Sequence, residues 1–271
     1  MAIRLALTDI DGTILPHGQK QVSARMVEAF HAALDAGIRV GVATGRGLAT
    51  VGPVFGGDER CLATAVATNG LQAYLDGELV FERTLPHDEL QVLADHLHAA
   101  GEGGLIAFDD ATPVLVEGDV EVLTHAFAAY GHAARLDRAL PNVGIIKANV
   151  FCEPEAGRIE QVVAGLNALD TGLEVVPSLL GFGNVLPRGW SKGSAIDVLC
   201  EHLGIGIDEV VVFGDETNDL QMLGHVPNSV AVANAVPAVQ ETARWHIGSC
   251  DDGAVADALF SLAQGQWPFV R

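Results

Sequence analysis

The sequence predicts an α/β fold: a doubly wound parallel sheet of Rossmann-like type, interrupted by an inserted α+β segment. Three observations carry that prediction. The first 45 or so residues read strand, helix, strand with short links, a βαβ unit that implies a parallel sheet with a right-handed crossover. Two apolar strands at opposite ends of the chain each close in an acidic cluster, Asp9/Asp11 and Asp215/Asp219. Between them, short strands and helices alternate with no compact set of acidic, His or Cys residues, as in a separate α+β unit. The expected division is 1–85 and 187–271 for the sheet domain and 86–186 for the insert.

Ile3 to Leu7 is an apolar run short enough for a buried strand, and it leads into Asp9-Ile-Asp11-Gly12-Thr13. Side chains alternate along an extended chain, so Asp9 and Asp11 are expected to point the same way if the extension persists. Gly12 then permits a sharp turn. Two carboxylates about 4 Å apart repel by roughly 1 kcal/mol in water and roughly 4 kcal/mol at a near-surface effective dielectric, a cost that a bound cation would offset. A solvated Asp-Gly turn is the plainer alternative.

Met26, Phe30 and Leu34 recur at helical spacing after Ser23, with Gly37 placed to end the helix. Ile38 to Ala43 is the next strand and closes in Thr44-Gly45-Arg46-Gly47. Gly45-x-Gly47 has Thr50 where a dinucleotide fingerprint needs its third glycine, so it is weak support for a nicotinamide site. A hydroxyl and free backbone N–H groups at a strand's carboxyl end, before a helix, make an anion site instead. Thr44 supplies the hydroxyl in that reading and a helix N-cap in the alternative. Cys61 to Asn69 is a further apolar run, with Asn69-Gly70 read as a turn, followed by a hairpin through Asp76-Gly77.

Within the insert, Leu90, Leu93 and Leu97 mark a helix. Strands are expected at Leu105 to Phe108, Pro113 to Val116, Val143 to Cys152 and Leu173 to Val176, with helices around Val120 to Tyr130 and Ala156 to Leu169. His96 and His98 face different ways on a helix and do not form a shared metal site. Covering or selecting is the role expected of such a unit, with hinges near Leu85 and Pro187.

Ser191 is a good N-cap for a helix carrying Ile196, Leu199 and Leu203. That places Lys192 in the first turn, where the helix dipole disfavours a cation. Holding a phosphate oxygen would account for it, and a snorkelling surface lysine is the alternative. Glu209 to Phe213 is a buried strand that ends in Gly214-Asp215-Glu216-Thr217-Asn218-Asp219. Ligands of open α/β sheets sit at strand carboxyl ends, so Asp9, Asp11, Asp215 and Asp219 converge if both strands share one sheet. Oxygen ligands without His or Cys point to Mg²⁺.

The chain of 271 residues carries a formal net charge of −20, with 49% apolar and 18% charged residues. That field repels nucleic acid and anionic membranes, so neither is an expected partner. It also repels an anionic substrate, which must then be met by local positive charge. No apolar stretch is long enough for a membrane span, no secretory signal pattern opens the chain, and a cytoplasmic location is expected. The four cysteines form no Cys-x-x-Cys pair and read as buried free thiols, and a zinc site would need tighter ligand spacing. Nothing reads as a sustained heptad seam, which leaves monomer and dimer open.

Together these motifs resemble the haloacid dehalogenase-type phosphatase superfamily, and more closely its Cof-type branch with a large α/β cap. The resemblance spans nearly the whole chain and rests on four matches in the family's order: Asp9-Ile-Asp11-Gly12-Thr13, Thr44-Gly45-Arg46, Ser191-Lys192-Gly193 and Gly214-Asp215-Glu216-Thr217-Asn218-Asp219. It implies a Mg²⁺-dependent phosphatase acting on a small phosphate monoester, such as a sugar phosphate, through a phospho-aspartate. Asp9 would be the nucleophile and Asp11 the general acid and base. Thr44, Gly45 and Lys192 would hold the phosphate. Asp9, Asp215 and the backbone carbonyl of Asp11 would bind the metal, while Asn218 and Asp219 would orient metal-bound water and Lys192. Asn184 stands where many members carry an acidic residue, a departure that bears on substrate identity and not on the reaction. A phosphomutase or phosphotransferase would use the same Asp9. A phosphosugar-binding regulator would not need Asp11, and a phosphate-accepting receiver domain would not need the insert.

Overall fold

The computed structural model describes residues 2–269. The chain crosses between two units at Glu82/Arg83 and Trp190/Ser191, three to four residues from the boundaries read in the sequence. The first segment contains β1 (Leu5–Thr8), α1 (Ala24–Asp35), β2 (Arg39–Ala43), β3 (Ala65–Ala67), β4 (Gln72–Leu75) and β5 (Glu78–Glu82). The inserted unit contains α2 (His87–Ala100), β6 (Gly104–Asp109), β7 (Thr112–Glu117), α3 (Val120–Ala126), α4 (Ala128–Ala133), β8 (Ala148–Phe151), α5 (Arg158–Asn167), β9 (Leu173–Leu179) and β10 (Phe182–Pro187). The last segment contains α6 (Lys192–Leu203), β11 (Val210–Gly214), α7 (Leu220–His225), β12 (Asn228–Ala231), α8 (Pro237–Thr242), β13 (Trp245–His246) and α9 (Ala254–Ala263).

The larger sheet has the order β13-β12-β11-β1-β2-β3-β4-β5. Strands β13 through β3 are parallel, and β4 and β5 extend the edge as an antiparallel hairpin. The hairpin turns through Asp76 and Gly77, both at positive φ, the geometry that matches strand twist. Continuous apolar strands are what a sheet covered on both faces requires. Alternation sorts their side chains. Ala6, Val40, Val211 and Phe213 pack with Met26 and Phe30 of α1 and Leu259 of α9. Leu5, Leu7, Val210 and Val212 pack on the other face with Ile196 and Leu199 of α6 and Leu223 of α7. The doubly wound reading therefore holds. Phe213 is fully buried, and truncating such a side chain to alanine costs roughly 3–5 kcal/mol.

The inserted unit has a five-stranded antiparallel sheet of order β7-β6-β8-β10-β9. Helix α2 packs on β6 and β7, and α5 on β9 and β10. Three sequence expectations change here. The single helix around Val120 to Tyr130 is two short helices, broken at Phe127, whose φ of −153° and ψ of 89° lie outside the helical region. The break lets Phe127 stack near Tyr130 and Phe182. The strand expected from Val143 is only β8, and β10, which pairs with both β8 and β9, was not anticipated because Gly183 and Asn184 dilute its apolar pattern.

Candidate active site

Strands β1 and β11 are parallel neighbours, with Thr8 opposite Phe213, so the two acidic clusters meet at one end of the sheet. The Asp9 amide donates to the Phe213 carbonyl at 2.9 Å, which carries the pairing one residue past β1. Gly12 then turns the chain at φ +84°, and a Cβ there would overlap the Asp215 carboxylate. Glycine thus lets the first loop close onto the second cluster. Thr13 Oγ1 donates to Asp215 Oδ1 at 2.6 Å, and Asn234 Nδ2 donates to the Gly12 carbonyl at 2.7 Å.

Lys192 is 1% exposed, which removes the surface-lysine alternative. Ser191 caps α6 with a side-chain bond to the Gly193 amide, fixing Lys192 at the helix start. Its Nζ donates to Asp9 Oδ1 at 2.7 Å and to Asp219 Oδ1 at 2.6 Å. The other Asp219 oxygen accepts from the amides of Asp215 at 3.0 Å and Glu216 at 3.2 Å. Burial opposes the Lys192 charge, but Asp219 and Asp9 outweigh it and hold the group as an ammonium, its pKa above the usual lysine value. Burial likewise raises the Asp9 pKa well above the carboxylate range, only partly countered by Lys192 and reinforced by Asp219 and Asp215. Asp215 is pushed up to about 7, first by burial, against the Thr13 hydrogen bond, and further by Asp219 and Glu216. Lys192 pairs with two of the three buried carboxylates, Asp9 and Asp219, and the crowding of acidic groups that favours protons on Asp9 and Asp215 would equally favour a bound cation.

The donor set agrees. Asp9, Asp215 and Asp219 bring oxygen atoms within 4.8 Å of one another, all on buried residues. Carboxylate oxygens alone suit a hard divalent ion.

Asp11 departs from expectation. Regular extension stops at Thr8, and the Asp11 carboxylate, 51% exposed, forms a two-pronged ion pair with Arg46. Arg46 Nε donates to Oδ2 at 2.8 Å and Nη2 to Oδ1 at 2.5 Å. The condition for Asp9 and Asp11 to share a direction, an extended chain through Asp11, is not met, and the two carboxylates take different partners, Lys192 and Arg46. Arg46 is the partner that sequence reasoning missed. It stands in the Thr44-Gly45-Arg46 motif, but nothing in the spacing shows which carboxylate it meets.

Thr44 follows β2 and is 1% exposed. Its Oγ1 accepts from the Arg46 amide at 3.1 Å, so it shapes the loop that aims Arg46. No α-helix begins here. A short 3₁₀ turn, Leu48–Thr50, comes next with Gly47 at its cap position, which excludes the N-cap role for Thr44. A Cβ on Gly45 would crowd the Asn69 amide group. Asn69, read as plain turn chemistry, is buried and central to the loops. Its amide donates to the Thr44 carbonyl at 3.0 Å, and its Oδ1 accepts from Asn218 Nδ2 at 3.4 Å. Thr68 and Asn69 both hold positive φ, +49° and +55°, a strain that clusters at functional sites. Gly70 follows at φ +95°, where any side chain would strike the Ser191 carbonyl. The 68–70 turn is thus wedged between the Thr44 loop and the start of α6.

The profile of the haloacid dehalogenase-like hydrolases matches residues 6–259. The chain belongs to the haloacid dehalogenase-like hydrolase family. YxeH of Bacillus subtilis strain 168, a protein assigned as a phosphatase, is 29% identical over 96% of this chain and 98% of its own. The HMP-PP phosphatase of Enterobacter sp. strain 638 is 28% identical over 94% of each. Among solved structures, the subclass IIB sugar phosphatase BT4131 superposes with a TM-score of 0.76 at 21% identity, covering 96% of this chain and 99% of that one. That likeness bears out the expected fold, a Rossmann-like domain with an inserted unit. As a haloacid dehalogenase-like hydrolase, the protein is an enzyme of the phosphoric monoester phosphatase type. Among the described residues, no helix is long and apolar enough to cross a membrane.

Proposed function

We propose that the enzyme hydrolyses a small phosphate monoester, a sugar phosphate or a metabolite of similar size, with Mg²⁺ and through a phospho-aspartate. The observation that carries this reading is the Lys192 ammonium bridging Asp9 and Asp219 beside Asp215. It sets a nucleophile candidate, a fixed cation and a cation-binding carboxylate set in one buried place. Phosphoryl transfer asks little else of a protein than positioning and neutralisation of charge.

In this reading an Asp9 oxygen attacks phosphorus as the bond to the leaving oxygen breaks, and Asp11 gives its proton to that oxygen. Asp11 then takes a proton from water, the water oxygen attacks phosphorus, and the aspartyl–phosphorus bond breaks to free Asp9 and inorganic phosphate. Thr44, the Gly45 amide and Lys192 hold the transferring group. Arg46 orients Asp11. Asp9, Asp215 and the Asp11 backbone carbonyl would hold Mg²⁺, which supplies positive charge on the transferring phosphate when bound. Asp219 spends its oxygens on Lys192 and two amides, which suits it to aligning Lys192 and the Asp215 loop, with Asn218 beside it through Asn69. The unit Arg83–Trp190 supplies substrate selection. The reaction is proposed for a small-molecule substrate in the cytoplasm, without nucleic acid or membrane.

The test is phosphate release from a panel of sugar phosphates, nucleotides and pyridoxal phosphate, with Mg²⁺ and with chelator. Mg²⁺-dependent release supports the reading. Transfer of the phosphoryl group to a second sugar, with none to water, would turn it into a phosphotransferase. A folded protein that binds Mg²⁺ and phosphosugars without any transfer would turn it into a binding regulator.

A further inference from the structure

Among the described residues, a second group of three metal-ligating side chains lies outside the carboxylate site: His31, Asp58 and Cys61. His31 is on α1. Asp58 caps the 3₁₀ turn Glu59–Leu62, and Cys61 lies within that turn. The ligating atoms of all three lie within 4.8 Å of one another. Asp58 and Cys61 are three residues apart in a tight turn, the spacing by which short metal-binding knuckles present two donors to one ion. The motif is Asp58-x-x-Cys61, with an aspartate where a cysteine knuckle has its first thiol.

Two further observations point to a ligand. His31 Nε2 is buried and has no hydrogen-bond partner, although Asp58 Oδ2 is 2.9 Å away. The two groups are close but not in hydrogen-bonding geometry, an arrangement that suits two donors facing a common ion. The segment is also clamped in place by a different contact. Arg60, between Asp58 and Cys61, donates to Asp35 on α1 at 2.6 Å, one helical turn beyond His31. The Asp58 carboxylate keeps its other oxygen on the Arg60 amide at 3.0 Å, so Oδ2 is the one turned to His31.

We propose that His31, Asp58 and Cys61 form a Zn²⁺ site that ties the Asp58–Cys61 turn to α1. Thiolate, imidazole and carboxylate together match a borderline-soft ion, unlike the oxygen-only set of Asp9, Asp215 and Asp219. Three protein ligands leave one tetrahedral position for water. His31 and Asp58 are partly exposed, which gives the ion a way in, while Cys61 closes the inner side. Cys61 loses its proton to solvent as the ion binds.

Cobalt(II) titration of the 271-residue chain tests this, because only a thiolate ligand gives an intense near-ultraviolet charge-transfer band. The expected result is one such band that saturates at one equivalent and is displaced by Zn²⁺. It persists in Asp9→Asn, is lost in Cys61→Ser, and needs much more cobalt in His31→Gln. Zn²⁺ should also raise the thermal midpoint of the unaltered protein, and by less in His31→Gln, a partly exposed position that tolerates the change should Cys61→Ser fail to fold. No band on the folded protein, a band that survives in Cys61→Ser, or equal cobalt affinity in His31→Gln would overturn the site.

Discussion

Lys192 Nζ sits 2.7 Å from Asp9 Oδ1, although 183 positions separate the two residues in sequence. The contact joins the start of α6 to the end of β1. It also makes the proposed nucleophile and its cation one electrostatic unit.

Asp9→Asn should abolish turnover while the fold persists. The amide cannot act as the attacking carboxylate, and loss of a nucleophile costs about 10⁴-fold or more. Phosphate release and far-ultraviolet circular dichroism on the same preparation check it. Substantial remaining activity would remove Asp9 from the nucleophile's role.

Lys192→Ala should lower both rate and stability. Removing the ammonium leaves Asp9 and Asp219 buried without their partner, a change that costs about 3 kcal/mol or more. Urea melts should show that loss. Kinetics in the variant should show weaker inhibition by inorganic phosphate together with a reduced kcat, and an unchanged inhibition constant would argue against a phosphate contact.

Asp215 predicts a pH dependence with a definite sign. Its pKa of about 7 in the metal-free fold lies above the ordinary carboxylate value of 3.8. Between those values the folded chain holds a proton that the unfolded chain has released. This group's contribution to stability therefore shrinks as pH rises from 3.8 through 7. A bound cation takes the proton's place, so Mg²⁺ affinity should strengthen as pH rises through 7, with proton release on binding. Calorimetry in buffers of different ionisation enthalpy measures that release, which Asp215→Asn should reduce.

Arg46→Ala should reduce kcat by about 10²-fold, the low end of what a positioned acid and base contributes, with a smaller change in KM. Arg46→Lys should restore little, because an ammonium cannot reproduce the two-pronged contact with Asp11. Equal kcat in Arg46→Ala and the unaltered enzyme would leave the ion pair as surface decoration.

The elements around the site were readable where one physical signal dominated. Uniform apolar runs gave β1, β2 and β11, and Ser191 marked the start of α6. Convergence of Asp9, Asp215 and Asp219 followed from strands sharing one sheet, whereas Lys192 was marked by its unfavourable place in the first turn of α6 and by the family resemblance. What was not readable depends on tertiary neighbours. Asn69-Gly70 carries the pattern of any tight turn, and only packing against Ser191 and the Asn218 side chain reveals its place among the site loops. The direction of Asp11 is set by where β1 ends, a boundary that alternation alone does not give. In the insert, Phe127 breaks a helix that periodicity would continue, because its ring is drawn to Tyr130 and Phe182.

The adjacency of β1 and β11 also orders events during synthesis. The unit Arg83–Trp190 is one unbroken stretch and can close while the ribosome is still at work. β1 cannot gain its second neighbour until β11 has emerged, more than 200 positions later. Until then an apolar strand edge waits unpaired, exposed to wrong partners. Long-range pairing of this kind slows folding, so nascent chains lacking the last segment should be the ones that chaperones hold.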